Sequence, residues 1–526
     1  MPAERPTDRR AWLQQAAAAA SALWLPRSAW SQPRFTNEPF TLGVASGSPR
    51  ADGVVLWTRL HPPGSGIGSG AVTLRWEVAH DEGFTRIAQS GQVQALPELA
   101  HSAHAEVQGL APDRWYFYRF MAGDAVSPTG RTHTLPALDA PVARLRLAYA
   151  SCQRWEHGYF SAYRHMREED LDLVLFLGDY IYEYPMAAQP VRVPSGGWVL
   201  TLDDYRQRYA LHKSEPDLQR MHAACPWLVT WDDHEVQNDY AGTHVGQGGP
   251  AVADFAARRA AAYQAFYEHM PLRASVLTRA FAGLGSGAEM RIHSQLSWGR
   301  LASLVLLDAR QFKSPQACTP AGRQGSATID PQGCADWNDP ARSLLGATQE
   351  QWLDQTLATQ GAAHGWNFIG QQSLVGQRDF RAGPDQRLWN DGWDGYAPAR
   401  RRLTDALQQH RVANPVVLGG DVHENWVGHI KADYADPASA SVGVEFCGTS
   451  ITSRASANPR TAEVLAENPH FVFADAQRRG YGVVECTPQQ LTTRLRVVDD
   501  VTRRDTQVET LASFVVEAGR AVVERA

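Results

Sequence analysis

The chain reads as an α/β core preceded by an all-β unit, and two observations predict this. Four short apolar runs stop abruptly at residues able to hold metal, as buried strands of an α/β sheet do when they deliver side chains at their carboxyl ends. The early part of the chain instead alternates apolar and polar residues, with frequent Gly/Pro turns and no helical period. A length of 526 residues exceeds one ordinary core, so two or more domains are expected.

Composition narrows the function classes. Hydrophobic residues make up 44% and charged residues 20%, an ordinary globular balance. A net charge of −6 gives no general basic field, so specific nucleic-acid binding is not expected. The 17 Trp residues suggest heavy aromatic packing or an aromatic-rimmed cleft.

At the N-terminus, Arg9-Arg10 precedes Ala11-Trp12-Leu13-Gln14 and the small apolar run Ala16–Leu25. Residues 1–32 resemble a bacterial twin-arginine export signal, with processing near Ala29–Gln32. A helical extension is the plainer reading. The run is shorter than the ~18 apolar residues of a membrane span, and no later segment reaches that length, so no transmembrane anchor is expected. The expected partner is the twin-arginine export machinery, and the expected location is periplasmic or extracellular. Export of a folded chain fits a protein that acquires its metals first.

Residues 35–137 carry the expected β-sandwich. Its strands are Phe40–Leu60 with a turn at Ser48–Gly53, then Val72–Ala79, His104–Leu110 and Trp115–Met121. Pro136–Pro141 reads as a linker. Residues 142–526 form the catalytic core. Helical stretches are expected at Tyr159–Glu169, Asp203–His212, Val252–His269, Gln349–Gln360 and Ala399–His410. Gly242–Gly249 is a loop, and Thr319–Pro340 is an irregular insertion over one face of the core. Ser441–Thr452 and Gly482–Val498 add late strands. Thr510–Ala526 has a helix-compatible end that either packs near the site or seals an edge. Cys318 and Cys334 bracket a Pro/Gly-rich loop and are candidates for a disulfide, whose geometry a sequence does not show. Cys447 and Cys486 lie in strand-like runs and read as buried thiols.

The four runs carry the chemistry. Leu173–Leu177 leads into Gly178-Asp179-Tyr180-Ile181-Tyr182. A carboxylate there can bridge two cations, and a tight loop returns Tyr182 to the same centre. A phenolate ligand calls for a strongly Lewis-acidic ion, because a phenol pKa of about 10 must fall below ambient pH. Val416–Leu418 leads into Gly419-Gly420-Asp421-Val422-His423, where a spacing of two puts Asp421 and His423 on one face of an extended segment. Trp227–Thr230 leads into Trp231-Asp232-Asp233-His234-Glu235, whose adjacent carboxylates repel unless a cation or proton compensates. Asn238 and Asp239 offer further oxygens or simple caps. Leu145–Ala150 leads into Ser151-Cys152-Gln153. A lone strand-end cysteine is usually a small buried hydrophobe, but in this company Cys152 is a candidate ligand.

Gly-Asp-x-x-Tyr, an Asp-His-Glu block and Gly-x-x-His together resemble the metallophosphoesterase signature shared with purple acid phosphatases. Three departures matter: Cys152 where an Asp is usual, Asp233 where Asn precedes the His, and Asp421 where a His stands two before the last ligand. They match the PhoD-type alkaline phosphatase family, as do Gly43–Ser48, Val54–Arg59 and Trp231–Asn238. The resemblance implies an α/β/β/α metallophosphoesterase sandwich with an N-terminal all-β sandwich domain, and Fe³⁺ with one or two Ca²⁺. Cys152, Asp179, Tyr182 and His423 suit a transition ion, whereas Asp179, Asp233 and Asp421 are oxygen donors suited to Ca²⁺. Gln371 or Gln372 stands where a family relative carries another ligand. A second calcium would draw on Asn238 or Asp232.

The expected activity is hydrolysis of phosphate mono- or diesters by metal-activated hydroxide. His234 is the candidate to bind phosphate or protonate the leaving oxygen, or else to orient a carboxylate; Arg154 is the candidate phosphate contact or else a structural arginine, with Arg310 a weaker one. A phospholipase D-like phosphodiesterase on the same scaffold is the near alternative. A non-catalytic binding protein braced by metals is the distant one.

Overall fold

The computed structural model describes residues 35–61, 70–278, 289–454 and 460–526. The expected export signal lies outside them. Two large mixed sheets organise the chain. In the ten-stranded sheet, Leu145–Ala150, Leu173–Phe176 and Trp227–Val229 run parallel side by side at the centre. In the seven-stranded sheet, Ala302–Leu306, Trp366–Gly370, Pro415–Gly419 and Ser441–Cys447 are parallel neighbours. The four sequence runs thus split between two sheets, three on one and one on the other.

Alternation along each central strand explains the layering. Leu145, Leu147, Leu173 and Leu175 share one apolar cluster with Leu304, Phe368, Leu418 and Phe446 of the other sheet. Their neighbours Ala148, Ala150, Val174 and Phe176 turn to the opposite face. There they meet Tyr205 and Tyr209 of helix Leu202–Lys213 and Phe266 of helix Phe255–His269. The outer face of the seven-stranded sheet is covered likewise. Ile369 and Val417 pack on Leu353 and Leu357 of helix Ala347–Gln360 and on Leu403 and Leu407 of helix Ala397–Gln409.

The N-terminal region is sheet-rich, but it does not stand apart from the core. Val44–Arg50 pairs in parallel with Trp227–Val229, and Gly53–Arg59 and Ser102–Gln108 extend the ten-stranded sheet further. Every residue of Gly53–Arg59 is buried. A strand covered on one face only would alternate, so unbroken burial marks a strand packed on both sides. Val54 and Leu56 face a smaller sheet through Leu74, Val78, Tyr116 and Tyr118, while the Trp57 Nε1–H donates to the Glu268 carbonyl at 3.0 Å. The linker expected at Pro136–Pro141 therefore separates sequence segments that share one sheet.

The C-terminus departs from the helix-compatible reading. Val508–Glu517 and Glu524–Arg525 are strands at the far edge of the ten-stranded sheet. Ala512, Phe514 and Val516 are buried on alternate positions, the period of two that a half-buried strand requires. The segment seals an edge. Cys318 and Cys334 are disulfide-bonded, with Cα atoms 5.9 Å apart.

Candidate metal centre

The carboxyl ends of the central strands converge. One group gathers a ligand atom from each of Cys152, Asp179 and His423, all within 4.8 Å of one another. Asp179, Asp233 and His234 form a second such group, and Asp232, Asp233 and Asp421 a third. Tyr182 joins the first: its hydroxyl donates to Asp179 Oδ2 at 2.8 Å and lies 3.2 Å from His423 Nε2. The structure therefore brings together Cys152, Asp179, Tyr182, Asp232, Asp233, His234, Asp421 and His423.

Local backbone makes this possible at a cost. Cys152, Asp179, Asp421 and His423 all adopt positive φ, between 57° and 66°. Non-glycine residues rarely do so, and such strain persists where the surroundings over-determine it, typically at functional sites. Gly178, at φ +108°, permits the closest approach: a Cβ there would lie 2.4 Å from Asp232 Cβ. Glu235 ties the same two loops together, its carboxylate accepting from the backbone N–H groups of Asp179, Tyr180 and Asp232 at 3.1, 2.6 and 2.8 Å.

Electrostatics separate the centre into two parts. Around Cys152, burial pushes the thiol up, with nearby Asp179 adding to the effect. Burial raises the Tyr182 phenol and lowers His423 to about 4. These groups are neutral as ligand precursors, and the protein cation acting on Asp179 is the His234 imidazole, grouped with it and Asp233. Asp179 Oδ1 is buried without a hydrogen-bond partner, while burial drives its carboxyl well above the usual range. A cation on that oxygen is what the donor set lacks, and thiolate, phenolate, imidazole and carboxylate together suit a transition ion.

The other part has protein cations built in. Arg310 Nε donates to Asp232, and Nη1 donates to Asp391 at 2.6 Å, with Nη2 3.8 Å from Asp233. Lys313 Nζ donates to Asp391 at 2.5 Å. Asp233, Asp239 and Asp391 form a further carboxylate group beside them. Burial still lifts Asp421 to about 7 and Asp239 to about 6, so two protein cations do not neutralise the cluster. The remaining oxygen donors fit a hard cation. Arg310 is 2% exposed, which makes it the cluster's counter-ion and removes it as a substrate contact.

The remaining sequence candidates take other positions. Gln371 Oε1 accepts from Trp393 Nε1–H and Ser373 N–H, and its amide donates to the Ser373 carbonyl. Gln372 Oε1 accepts from Ala309 N–H, and its amide donates to Thr230, Trp231 and Leu307. Both glutamines thus brace strand ends. Asn238 is held through its backbone, N–H to Glu183 and carbonyl to Gln247. His234 Nδ1 lies 2.7 Å from Glu183 Oε2. Burial opposes charge on that imidazole, yet Asp179, Glu183 and Asp233 outweigh it and hold its pKa well above the ordinary value. Arg154 stands over the rings of Tyr184 and Tyr182 at 4.9 and 5.5 Å, and its buried Nε lies 3.7 Å from the Glu156 carboxylate, beyond hydrogen-bond distance.

Glu183, Glu235, Asp391 and Ser453 are supporting residues that strand-end reasoning passes over. Glu183 and Glu235 directly follow Tyr182 and His234, so an acid next to a candidate ligand was the available signal. Ser453, whose hydroxyl lies 2.7 Å from the Tyr182 hydroxyl and 2.8 Å from the Cys152 carbonyl, and Asp391 lie in loops that carry none.

Comparison with known proteins identifies the family. The PhoD-like phosphatase model matches residues 147–495, and the model for the N-terminal domain of PhoD-like phosphatases matches residues 26–136. Alkaline phosphatase D of Bacillus subtilis (strain 168) is 43% identical over 496 residues, covering 92% of this chain and 82% of that protein. The solved structure of PhoD superposes with a TM-score of 0.87 at 42% identity, covering 94% of this chain and 93% of that one. The chain belongs to the PhoD-like phosphatase family.

Proposed function

We propose that this phosphatase is exported and hydrolyses phosphate mono- or diesters at an iron–calcium centre. The observation that carries the reading is the unpartnered, buried Asp179 Oδ1 at the meeting point of Cys152, Tyr182, His423 and Asp233. Cys152, Asp179, Tyr182 and His423 would hold Fe³⁺. Asp179, Asp233 and Asp421 would hold Ca²⁺, with Asp232 and Asn238 at the margin. Bound there, the cations would lower the pKa of water and neutralise phosphoryl charge. Arg154 binds a phosphoryl oxygen through its terminal guanidinium nitrogens, while its Nε faces Glu156 and its ring contact with Tyr184 holds the side chain in place. Glu183 occupies Nδ1 of His234, which leaves Nε2 to donate a proton to the departing alkoxide. The proton returns to His234 from solvent as the alcohol leaves.

The reading extends to the whole chain. The layered packing supports an α/β/β/α sandwich over residues 142–526 whose ten-stranded sheet also takes in three strands of the all-β unit at residues 35–137. The paired arginines support twin-arginine export and a periplasmic or extracellular site of action. The test is elemental analysis of purified protein together with paired monoester and diester assays. Iron and calcium are expected, with a visible Tyr/Cys-to-ferric absorption band. A colourless, iron-free protein with full activity would remove the iron assignment, and comparison of the two ester rates decides between monoesterase and diesterase.

A further inference from the structure

Beside the centre lies an open cleft of about 480 Å³, lined by Gln247, Gly248, Gly322, Arg323 and Gln324. Its walls are anchored to the carboxylate cluster. Gln247 Nε2 donates to Asp239 Oδ2 at 2.8 Å and to the Ser326 carbonyl at 2.9 Å, and the Ser326 hydroxyl donates to Asp239 at 2.5 Å. The Asp239 N–H in turn donates to Asp233 at 2.6 Å. The arm that carries Arg323 is closed on itself by the Cys318–Cys334 bond and by the Thr319 hydroxyl donating to the Gly325 carbonyl at 2.9 Å. On the other side, Gly248 lies against Tyr184 and Trp198, and a Cβ there would meet both rings at 3.8 Å. Tyr184 stands edge-on to His234, with ring centroids 5.2 Å apart. The cleft therefore sits against the carboxylate cluster through Gln247, and its Gly248 wall packs on the aromatic pair next to the candidate acid.

Arg323 and Gln324 are exposed, and no carboxylate pairs with Arg323 among the described residues. Most arginines around the centre are committed to acids: Arg310 to Asp232 and Asp391, Arg400 to Asp394, Arg402 to Glu350. An uncommitted guanidinium beside two amide side chains, in a cleft whose wall is hydrogen-bonded to the carboxylate cluster, suits an anion that is not the one being hydrolysed.

We propose that this cleft is a subsite for a second anionic group, phosphate or carboxylate, carried on the alcohol portion of the ester, with Arg323 as its specificity-determining residue. The proposal rests on the phosphatase reading above. Remote binding of this kind positions the scissile group and appears in KM for substrates that carry the second charge.

The experiment compares ω-hydroxyalkyl phosphates with the matched α,ω-alkanediol bisphosphates, and with ω-carboxyalkyl phosphates, over a series of chain lengths. Wild type, Arg323→Ala, Arg323→Glu and Arg323→Lys are assayed by phosphate release at low and high salt. Wild type is expected to prefer the doubly anionic esters at one range of chain length. Arg323→Ala should raise KM for those esters by roughly tenfold, Arg323→Glu by more, and Arg323→Lys should restore most of the preference. The hydroxyalkyl phosphates should be unaffected, and high salt should erase the difference. Equal KM values across the four proteins, or an equal change for charged and neutral alcohols, would overturn the subsite. Failure of wild type to hydrolyse any of these esters or their methyl diesters would instead count against the phosphatase reading itself.

Discussion

The two parts of the centre are built on opposite electrostatic plans. The part around Cys152, Tyr182 and His423 holds its groups neutral by burial and leaves an Asp179 oxygen without a partner. The part around Asp232, Asp233 and Asp391 already contains Arg310 and Lys313. The first offers a donor set that calls for a bound cation, whereas the second is half-compensated by the chain itself. Changes in the first should therefore act on metal content and rate, and changes in the second on folding.

Asp179 belongs to both parts, and its loss should have the largest effect. Asp179→Asn is expected to reduce kcat/KM by roughly a thousandfold or more, with loss of both metals by elemental analysis. The metal-free variant should be at least as stable as metal-free wild type, because a carboxyl whose ionisation burial opposes is replaced by a neutral amide. Retained activity would sever Asp179 from the chemistry.

Arg310→Met tests the other part. It leaves Asp232 and Asp391 short of a buried partner, and the expected loss is about 3–5 kcal/mol in denaturant unfolding of the metal-free protein. Calcium should restore part of that loss. A variant as stable as wild type would show that the carboxylates are protonated and need no counter-ion.

Tyr182→Phe should act more gently. The hydroxyl bonds to Asp179 and Ser453 at 2.8 and 2.7 Å, so its removal should abolish the visible absorption band and lower kcat by about ten- to a hundredfold. Stability should change by only about 1 kcal/mol. An unchanged spectrum would assign the colour to Cys152 alone.

This division bears on what a sequence reveals. Cys152, Asp179, Tyr182, Asp421 and His423 follow strands whose burial is written in mostly apolar runs, interrupted only by Arg146, so their convergence was legible. The counter-ion was not. Arg310 follows a strand end as they do, yet the same position suits a substrate contact, and only the distances to Asp232 and Asp391 decide. Asp391 lies in a loop, where no period announces a direction. The shared sheet was half-written: the fully buried Gly53–Arg59 spells a two-sided strand, but its partner Val44–Arg50 pairs with a strand far along the chain. Non-local pairing of that kind leaves no local pattern.

The smallest effect is a pH dependence confined to the metal-free protein. Asp421 and Glu235 titrate near 7 and 8 in the fold, both raised chiefly by burial. Their unfolded values are about 4. A raised carboxyl stabilises the fold fully below its unfolded pKa and loses that contribution as pH rises through the folded value. The metal-free protein should therefore melt at progressively lower temperature from about pH 4 to pH 8. With iron and calcium bound, Asp421 would be held ionised and its share of the slope should vanish or invert, while Glu235, which faces backbone N–H groups, should keep its own. Parallel thermal melts with chelator and with metals separate the two contributions. Identical slopes would mean that Asp421 touches no cation, and would move the calcium ligands toward Asp233 and Asp239.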